Sequence, residues 1–348
     1  MRILAMRFLP LDVLLFRDGR PFDFSTSFAT SLPFPYPSTF SGALRKLFGD
    51  VLEVSTKDWN ALLGDAEKTP LLFSGPFFEK DGKLFVRVPM TLLAKKKDDS
   101  GKVAGSLEVL RDSPEIVNIK NTSAKVENLL WSKSAKPLEP VNAFVRISDL
   151  MDLIEGRKKL NEVRTYKINE FIADDVRTHL RIEGRTAAKD DGKFSVRYIA
   201  LKDGVSFVVG VERGSFEKWD ELLMKLPERS TVRLGGEGRQ AVVERVKDKE
   251  VLNALLELRR LEDEESNTRI FITPFAFEKE DLSPVFAVTS KAKMVRGRNY
   301  KGVSKIFGIY DSGSVISFRN FGDVKSTDEF KDFRSLGYNM SVKGGMLV

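Results

Sequence analysis

Three prolines alternate through Leu32–Thr39 (LPFPYPST), and what flanks them dictates how the chain begins. Each proline locks its own φ and pushes the residue before it out of the helical region. No helix can therefore start much before Pro37. Ahead of this loop, Ile3 to Leu9 reads as a buried strand. Behind it, Phe40, Ala43, Leu44, Leu47 and Phe48 recur at helical spacing and form one apolar stripe. Ser38 or Thr39 stands where an N-cap belongs, and Gly49 where a helix stops. Arg45 and Lys46 fall off the stripe and are expected to point outward. The opening is strand, extended loop, capped helix.

The stretch from about 50 to 165 is less regular. It holds a hairpin, FFEKDGKLFVRV, turning at Asp81-Gly82. Lys95 to Ser106 reads as an exposed loop, and ISDLMDLIEGRKKL as a short helix. Regularity returns around His179, where strands are joined by turns at Asp191-Gly192 and Asp203-Gly204. Ser215 is placed to cap a helix with the stripe Trp219, Leu222, Leu223 and Leu226, closed by Pro227. A strand over Thr231–Val246 follows, broken by the glycine-rich LGGEGR. The order is strand, helix, long insertion, two strands, helix, strand, which is the βαββαβ order of the ferredoxin-like fold. Beyond it come a charged helix over Lys249–Glu265, strands at RIFITPFAF, PVFAVTS and SGSVISF, a short helix at Glu329–Phe333 and a glycine-rich tail. The expected class is α+β with two ferredoxin-like (RRM-like) domains. The first covers residues 1–246, with its insertion at about 50–165, and an abbreviated second covers 247–348.

With 348 residues and 42% hydrophobic residues the chain can bury a sizeable core, so a wholly disordered protein is excluded. A formal charge of +7 suits a polyanion partner. There is no Cys and one histidine, His179, which removes disulfides, thiolate sites and multi-histidine metal centres. No phosphate loop, HExxH motif or nucleophile elbow is present, and no carboxylate spacing suggests a two-metal nuclease. No catalytic set, metal or cofactor is expected. No apolar run reaches the length of a membrane span, and MRILAMRFLPLDVLLF, interrupted by Arg7 and Asp12, reads as a cytoplasmic protein's first strand rather than a signal peptide.

Candidate binding residues lie elsewhere. In LGGEGR, Gly235, Gly236 and Gly238 let backbone approach another chain closely, and Arg239 can pair with phosphate. GYNMSVKGG sets Gly337, Gly344 and Gly345 around Lys343, a pattern that can turn N–H groups toward an anion. SKAKMVRGRNYKGVSK carries Lys291, Lys293, Arg296, Arg298, Lys301 and Lys305 around Tyr300 with no acidic residue, a composition suited to single-stranded RNA. Arg17 and Arg20 flank a turn at Asp18-Gly19. Arg177 and Arg185 bracket the strand bearing His179. Ser38, Thr39, Arg45 and Lys46 mark a helix start where N–H groups and cations together can hold phosphate.

Five segments resemble the RAMP proteins, ferredoxin-like subunits of CRISPR effector complexes, and most closely the third-subunit family of the type III-B (Cmr) complex. They are PLDVLLFRDGRPF, LPFPYPSTFSGALR, SGPFFEKDGKLFVRVPMTLL, LGGEGRQAVVE and DSGSVISF, in the family's order. The resemblance implies a non-catalytic subunit in antiviral defence that grips the 5′ tag of the crRNA. It also implies two protein partners, the large polymerase/cyclase-like subunit and a neighbouring RAMP backbone subunit. An alternative is a metal-independent RAMP endoribonuclease that processes CRISPR precursor RNA with His179 as general base and a Lys or Tyr beside it. A third is a structural bridge that barely touches RNA.

Overall fold

The computed structural model describes residues 3–17, 28–95, 105–106, 108–110, 129–131, 138–180, 182–183, 186–187, 193–278, 284–298 and 304–344. The chain opens with β1 (Leu4–Pro10), β2 (Phe28–Thr30), α1 (Pro37–Val51), α2 (Trp59–Leu63), β3 (Leu72–Lys80) and β4 (Lys83–Arg87). Short strands β5 (Leu92–Lys95), β6 (Gly105–Ser106), β7 (Glu108–Leu110), β8 (Leu129–Trp131) and β9 (Leu138–Pro140) lead to β10 (Phe144–Arg146) and α3 (Ile147–Ile154). Then come β11 (Ile172–Leu180), β12 (Ile182–Glu183), β13 (Thr186–Ala187), β14 (Lys193–Leu201), β15 (Val205–Glu212), α4 (Trp219–Lys225), β16 (Arg229–Arg233) and β17 (Gln240–Arg245).

The main sheet has the order β10-β4-β3-β15-β1-β17-β16, antiparallel throughout. Within it, β3-β15-β1-β17 is the ferredoxin order, second, third, first and fourth strand. The second strand is thus β3, and the insertion begins after it, not after the first helix as the sequence suggests. The reason is burial. Leu72–Lys80 is buried on both faces along nearly its whole length, and so is its partner β15, with Phe78 opposite Phe207. The β11 sequence IADDVRTHL has too many charges for a central strand. It pairs instead with β14, and β2 completes a separate three-stranded sheet, β11-β14-β2. The Asp203-Gly204 turn therefore joins strands of different sheets. At Asp81-Gly82 both residues have positive φ, 53° and 71°, the two-residue hairpin turn expected there.

Local signals are corrected in three places. α1 begins at Pro37, with Tyr36 as N-cap and no side-chain cap bond, so neither Ser38 nor Thr39 caps it. A proline in the first turn sacrifices an N–H that has no helical partner anyway. The helix also runs through Gly49 to Val51, because this glycine serves packing: a Cβ there would lie 2.2 Å from the Trp59 ring. Ser215 does not cap α4, which starts at Trp219 with Lys218 before it.

Phe8, Phe40, Phe48, Phe78 and Phe207 fill the space between the sheet and α1, α2 and α4. The opposite face is covered as well. Ala5, Phe77 and Val208 pack there against α3 and α5 (Lys249–Asp263), together with Ile270, Ile272, Val315 and Val342 of the C-terminal half. The open sheet face on which RRM-like domains stack bases is thus occupied.

The C-terminal half comprises β18 (Thr268–Phe271), β19 (Phe275–Phe277), β20 (Pro284–Val288), β21 (Lys293–Arg298), β22 (Ser304–Tyr310), β23 (Val315–Phe318), α6 (Phe321–Ser326), α7 (Asp328–Ser335) and β24 (Ser341–Lys343). Its sheet order, β20-β23-β18-β24, repeats the ferredoxin order without the first helix. The basic stretch that begins at Ser290 holds the strand pair β21–β22, with β19 alongside. Arg269, fully buried, donates to the carbonyls of Glu262 (2.9 Å) and Glu264 (2.7 Å), tying the end of α5 to this sheet. Among the described residues no helix is long and apolar enough to cross a membrane.

Candidate nucleic-acid interface

The small sheet and the glycine-rich bend meet over the segment that follows β1. Alternation sends Asp175, Arg177 and His179 of β11 to one face, with Phe194, Val196 and Tyr198 of β14. Val13 and Leu15 pack against Val196 and Tyr198. The bend closes over the same segment. Gly236 donates its N–H to the Leu15 carbonyl at 2.8 Å, and a Cβ on Gly235 would lie 2.6 Å from that oxygen. Gly235, Glu237 and Gly238 all have positive φ, so the bend needs its glycines for shape.

Asp12 is the centre. Arg177 donates to it through both Nη atoms, each at 2.8 Å, and Arg239 adds a third bond at 2.8 Å. Arg177 also reaches Asp175 at 3.1 Å, and Arg239 lies 3.6 Å from Glu237. Hydrogen bonding from Arg177 leads the effects that hold the Asp12 carboxyl far below the usual carboxylate range. Tyr198 donates its only O–H to Glu237 at 2.6 Å. His179 Nε2, 2.9 Å from the same oxygen, is therefore the donor in that contact. Burial, then the bond to Glu237, pushes the Tyr198 phenol up. Arg239 stacks 4.6 Å from the Tyr198 ring centre, and His179 lies on Phe194 at 5.2 Å.

Arg177, His179, Gly235, Gly236, Gly238 and Arg239 are thus brought together from three stretches of sequence. Arg17 joins them, its Nε 3.5 Å from where a Gly236 Cβ would be. Both Arg177 and Arg239 are engaged by carboxylates, so a phosphate would have to compete with Asp12 for them. Above Gly238 a Cβ would meet nothing within 4 Å, so the bend is open there. The sequence reading missed Asp12, Glu237, Tyr198 and Phe194. The one signal for Asp12 was its interruption of the first apolar run.

The other expected residues lie apart. Arg45 is buried and does not face outward. It donates to the Ser41 carbonyl at 3.4 Å and to that of Asp65, and burial lowers its pKa to about 10. Helix α2 and the segment after it cover the side of α1 that a single apolar stripe leaves to solvent. Lys46 is exposed and pairs with Asp50. Ser38 bonds the Tyr338 hydroxyl at 2.9 Å, and the Thr39 amide donates to the Tyr36 carbonyl at 3.1 Å. The GYNMSVKGG tail is packing rather than an anion nest: Gly337 lies against Pro37, Phe73 and the Gly75 carbonyl, and Lys343 pairs with Glu264. Lys293 is held by Asp311 at 2.7 Å. Arg296 and Arg298 lie on β21, their side chains outside the described residues, as are Arg20, Arg185, Tyr300 and Gly345.

Two antiparallel sheets share one ferredoxin strand order, and a glycine-rich bend joins the last two strands of the first. The chain belongs to the Cas_Cmr3 family: the profile described as CRISPR-associated protein (Cas_Cmr3) matches residues 6–311. Among solved structures it is similar to a chain of the cryo-EM structure of Type III-B Cmr-beta bound to cognate target RNA and AMPPnP. The TM-score is 0.57 at 18% identity, over 97% of this chain and 95% of that one. A chain of Cmr-beta bound to cognate target RNA gives 0.56 at 16% identity, over 97% and 96%. At such identities the likeness is one of fold. No curated protein matches the sequence.

Proposed function

We propose that this chain is a non-catalytic RNA-binding subunit of a type III-B CRISPR effector complex. It holds the 5′ tag of the crRNA and bridges the large polymerase/cyclase-like subunit to the neighbouring RAMP backbone subunit. The observation that carries the reading is the convergence of Arg177 and Arg239 on Asp12 beside an open glycine bend. Two planar guanidiniums are held side by side where an RNA phosphate can take the place of the Asp12 carboxylate between them. The test is titration of labelled, tagged crRNA into the assembled complex. Arg177→Ala and Arg239→Ala should each cost roughly 1–3 kcal/mol of binding. Each lost phosphate contact should flatten the salt dependence by about 0.7. Unchanged affinity and slope would remove the cluster from the RNA site.

The His179–Tyr198 contact favours a second reading, a metal-independent endoribonuclease. Against it, Tyr198 is fully buried and its proton is committed to Glu237, so it cannot reach a scissile phosphate. Cleavage of CRISPR repeat RNA that is lost with His179→Ala would reverse this preference.

A further inference from the structure

Strand β11 forms one edge of its sheet and pairs with β14 along all of Ile172–Leu180. The direction of its free backbone groups follows from the far side of β14. There Ile199 exchanges both main-chain bonds with Leu14, at 2.8 and 3.0 Å, and the Arg197 carbonyl accepts from Ser31 at 2.8 Å. Residues 197 and 199 therefore turn their N–H and C=O groups away from β11. In an antiparallel ladder their opposite residues, Val176 and Asp174, form the pairs without mutual bonds. Alternation adds Thr178, opposite Ser195. Asp174, Val176 and Thr178 thus point N–H and C=O outward, and no described residue bonds to these groups.

The same residues turn their side chains to solvent. Val176 and Leu180 are each 55% exposed, and Phe28, at the other edge of this face, is 45% exposed. A nine-residue edge is normally blunted by proline, lysine or a bulge. Here the edge-facing residues are Asp174, Val176, Thr178 and Leu180, and the pairing with β14 runs without a register shift. On the solvent face Lys193 and Arg197 outnumber Asp174, which lies 3.9 Å from Arg197.

We propose that β11 is a docking edge, on which an extended polypeptide segment of a protein partner adds as a further strand. Alternating free N–H and C=O groups match the backbone of an extended peptide. The exposed Val176 and Leu180 ask for apolar residues in that segment, and Lys193 with Arg197 for an acidic one. The opposite face of this strand carries Arg177 and His179, so docking would also steady the arginine cluster. The inference needs the chain to work in an assembly, as proposed above, but not the cluster to hold RNA.

Amide exchange tests it, measured on the full chain alone and in the effector complex co-purified with it. The Val176 and Thr178 amides should slow at least tenfold on assembly. Thr178→Pro removes an outward N–H that the β11–β14 ladder does not use, so it should lower retention of the partner at least tenfold with an unchanged melting temperature. If Thr178→Pro disturbs the fold, Val176→Lys decides, since an exposed lysine leaves the ladder intact. Equal exchange in chain and complex, or full retention with the surviving variant, overturns the proposal. Protection that vanishes on ribonuclease treatment while the protein subunits stay together assigns the edge to RNA and also overturns it. A chain that retains no protein partner overturns both this inference and the proposed role.

Discussion

Arg334 of α7 forks onto Glu262 of α5, through Nε to one carboxylate oxygen and through Nη2 to the other at 2.8 Å, and both side chains are almost wholly buried. Arg334 also donates to the Phe73 carbonyl of β3, so the pair locks the C-terminal half to the main sheet. Burial by itself would raise the Glu262 pKa, but Arg334 and Arg259 outweigh it and hold the carboxyl below its ordinary value. Its stabilisation is therefore complete above the unfolded carboxylate pKa of about 4.3, and is lost as pH falls through the lower folded value. Glu212 runs the other way: burial raises its pKa, so its cost at neutral pH eases on acidification. Glu262→Gln leaves a buried guanidinium half paired and should cost about 3–5 kcal/mol at pH 7. The deficit against wild type should shrink toward pH 3 in denaturant titrations. A deficit independent of pH would show that the charge is not what matters.

Gly49→Ala should destabilise the chain. In an exposed helix interior this exchange gains about 1 kcal/mol. Here the new methyl would sit 2.2 Å from the Trp59 ring, and overpacking costs typically 1–3 kcal/mol. Thermal unfolding checks the sign. The double variant with Trp59→Ala should lose less than the two single losses added together.

What could be read from sequence was local. The proline loop, the stripe of α1, the Asp81-Gly82 turn, α3, α5 and the bend at Gly235–Gly238 each announce themselves within a dozen residues. The pairing of Phe78 with Phe207 does not, because the strand that looks most like a companion to His179's neighbourhood is not the one that completes the sheet. Arg45 was misplaced because one apolar stripe reports one buried side of a helix, and α2 covers another. The strand Lys293–Arg298 was hidden by its charges: Val295 is buried while Met294 is exposed, an alternation that lysine and arginine mask. Asp12, Arg177 and Arg239 lie on separate stretches, and no spacing rule connects them.

Arg45→Ala should cost stability and leave RNA binding alone. The guanidinium serves the carbonyls of Ser41 and Asp65 from a buried position, and removing it strands buried acceptors at about 1–3 kcal/mol. Arg45→Lys should recover little, since one ammonium lacks the fork that spans two carbonyls. Unfolding curves and crRNA titration on the same preparations separate the two readouts. Weakened RNA binding at unchanged stability would return Arg45 to the RNA surface.

Asp12→Asn tests whether the carboxylate competes with phosphate. Asp12 is half exposed, so its pairs with Arg177 and Arg239 contribute little to folding, and the variant should melt near wild type. Its effect on RNA should be larger. With the carboxylate charge gone, an amide oxygen can still accept from both guanidiniums, but they lose the anion they share and keep only Asp175 and Glu237 beside them. Phosphate then meets two cations that are each less compensated. Affinity for tagged crRNA should rise at low salt, and the salt dependence should steepen by about 0.7 for each cation released to the RNA. The gain should vanish in Asp12→Asn combined with Arg177→Ala and Arg239→Ala, because no freed guanidinium remains. If Asp12 instead aims the arginines at the phosphate, Asp12→Asn weakens binding at every salt concentration. Titrations at two salt concentrations distinguish the outcomes, and a flat or shallower slope rules out competition.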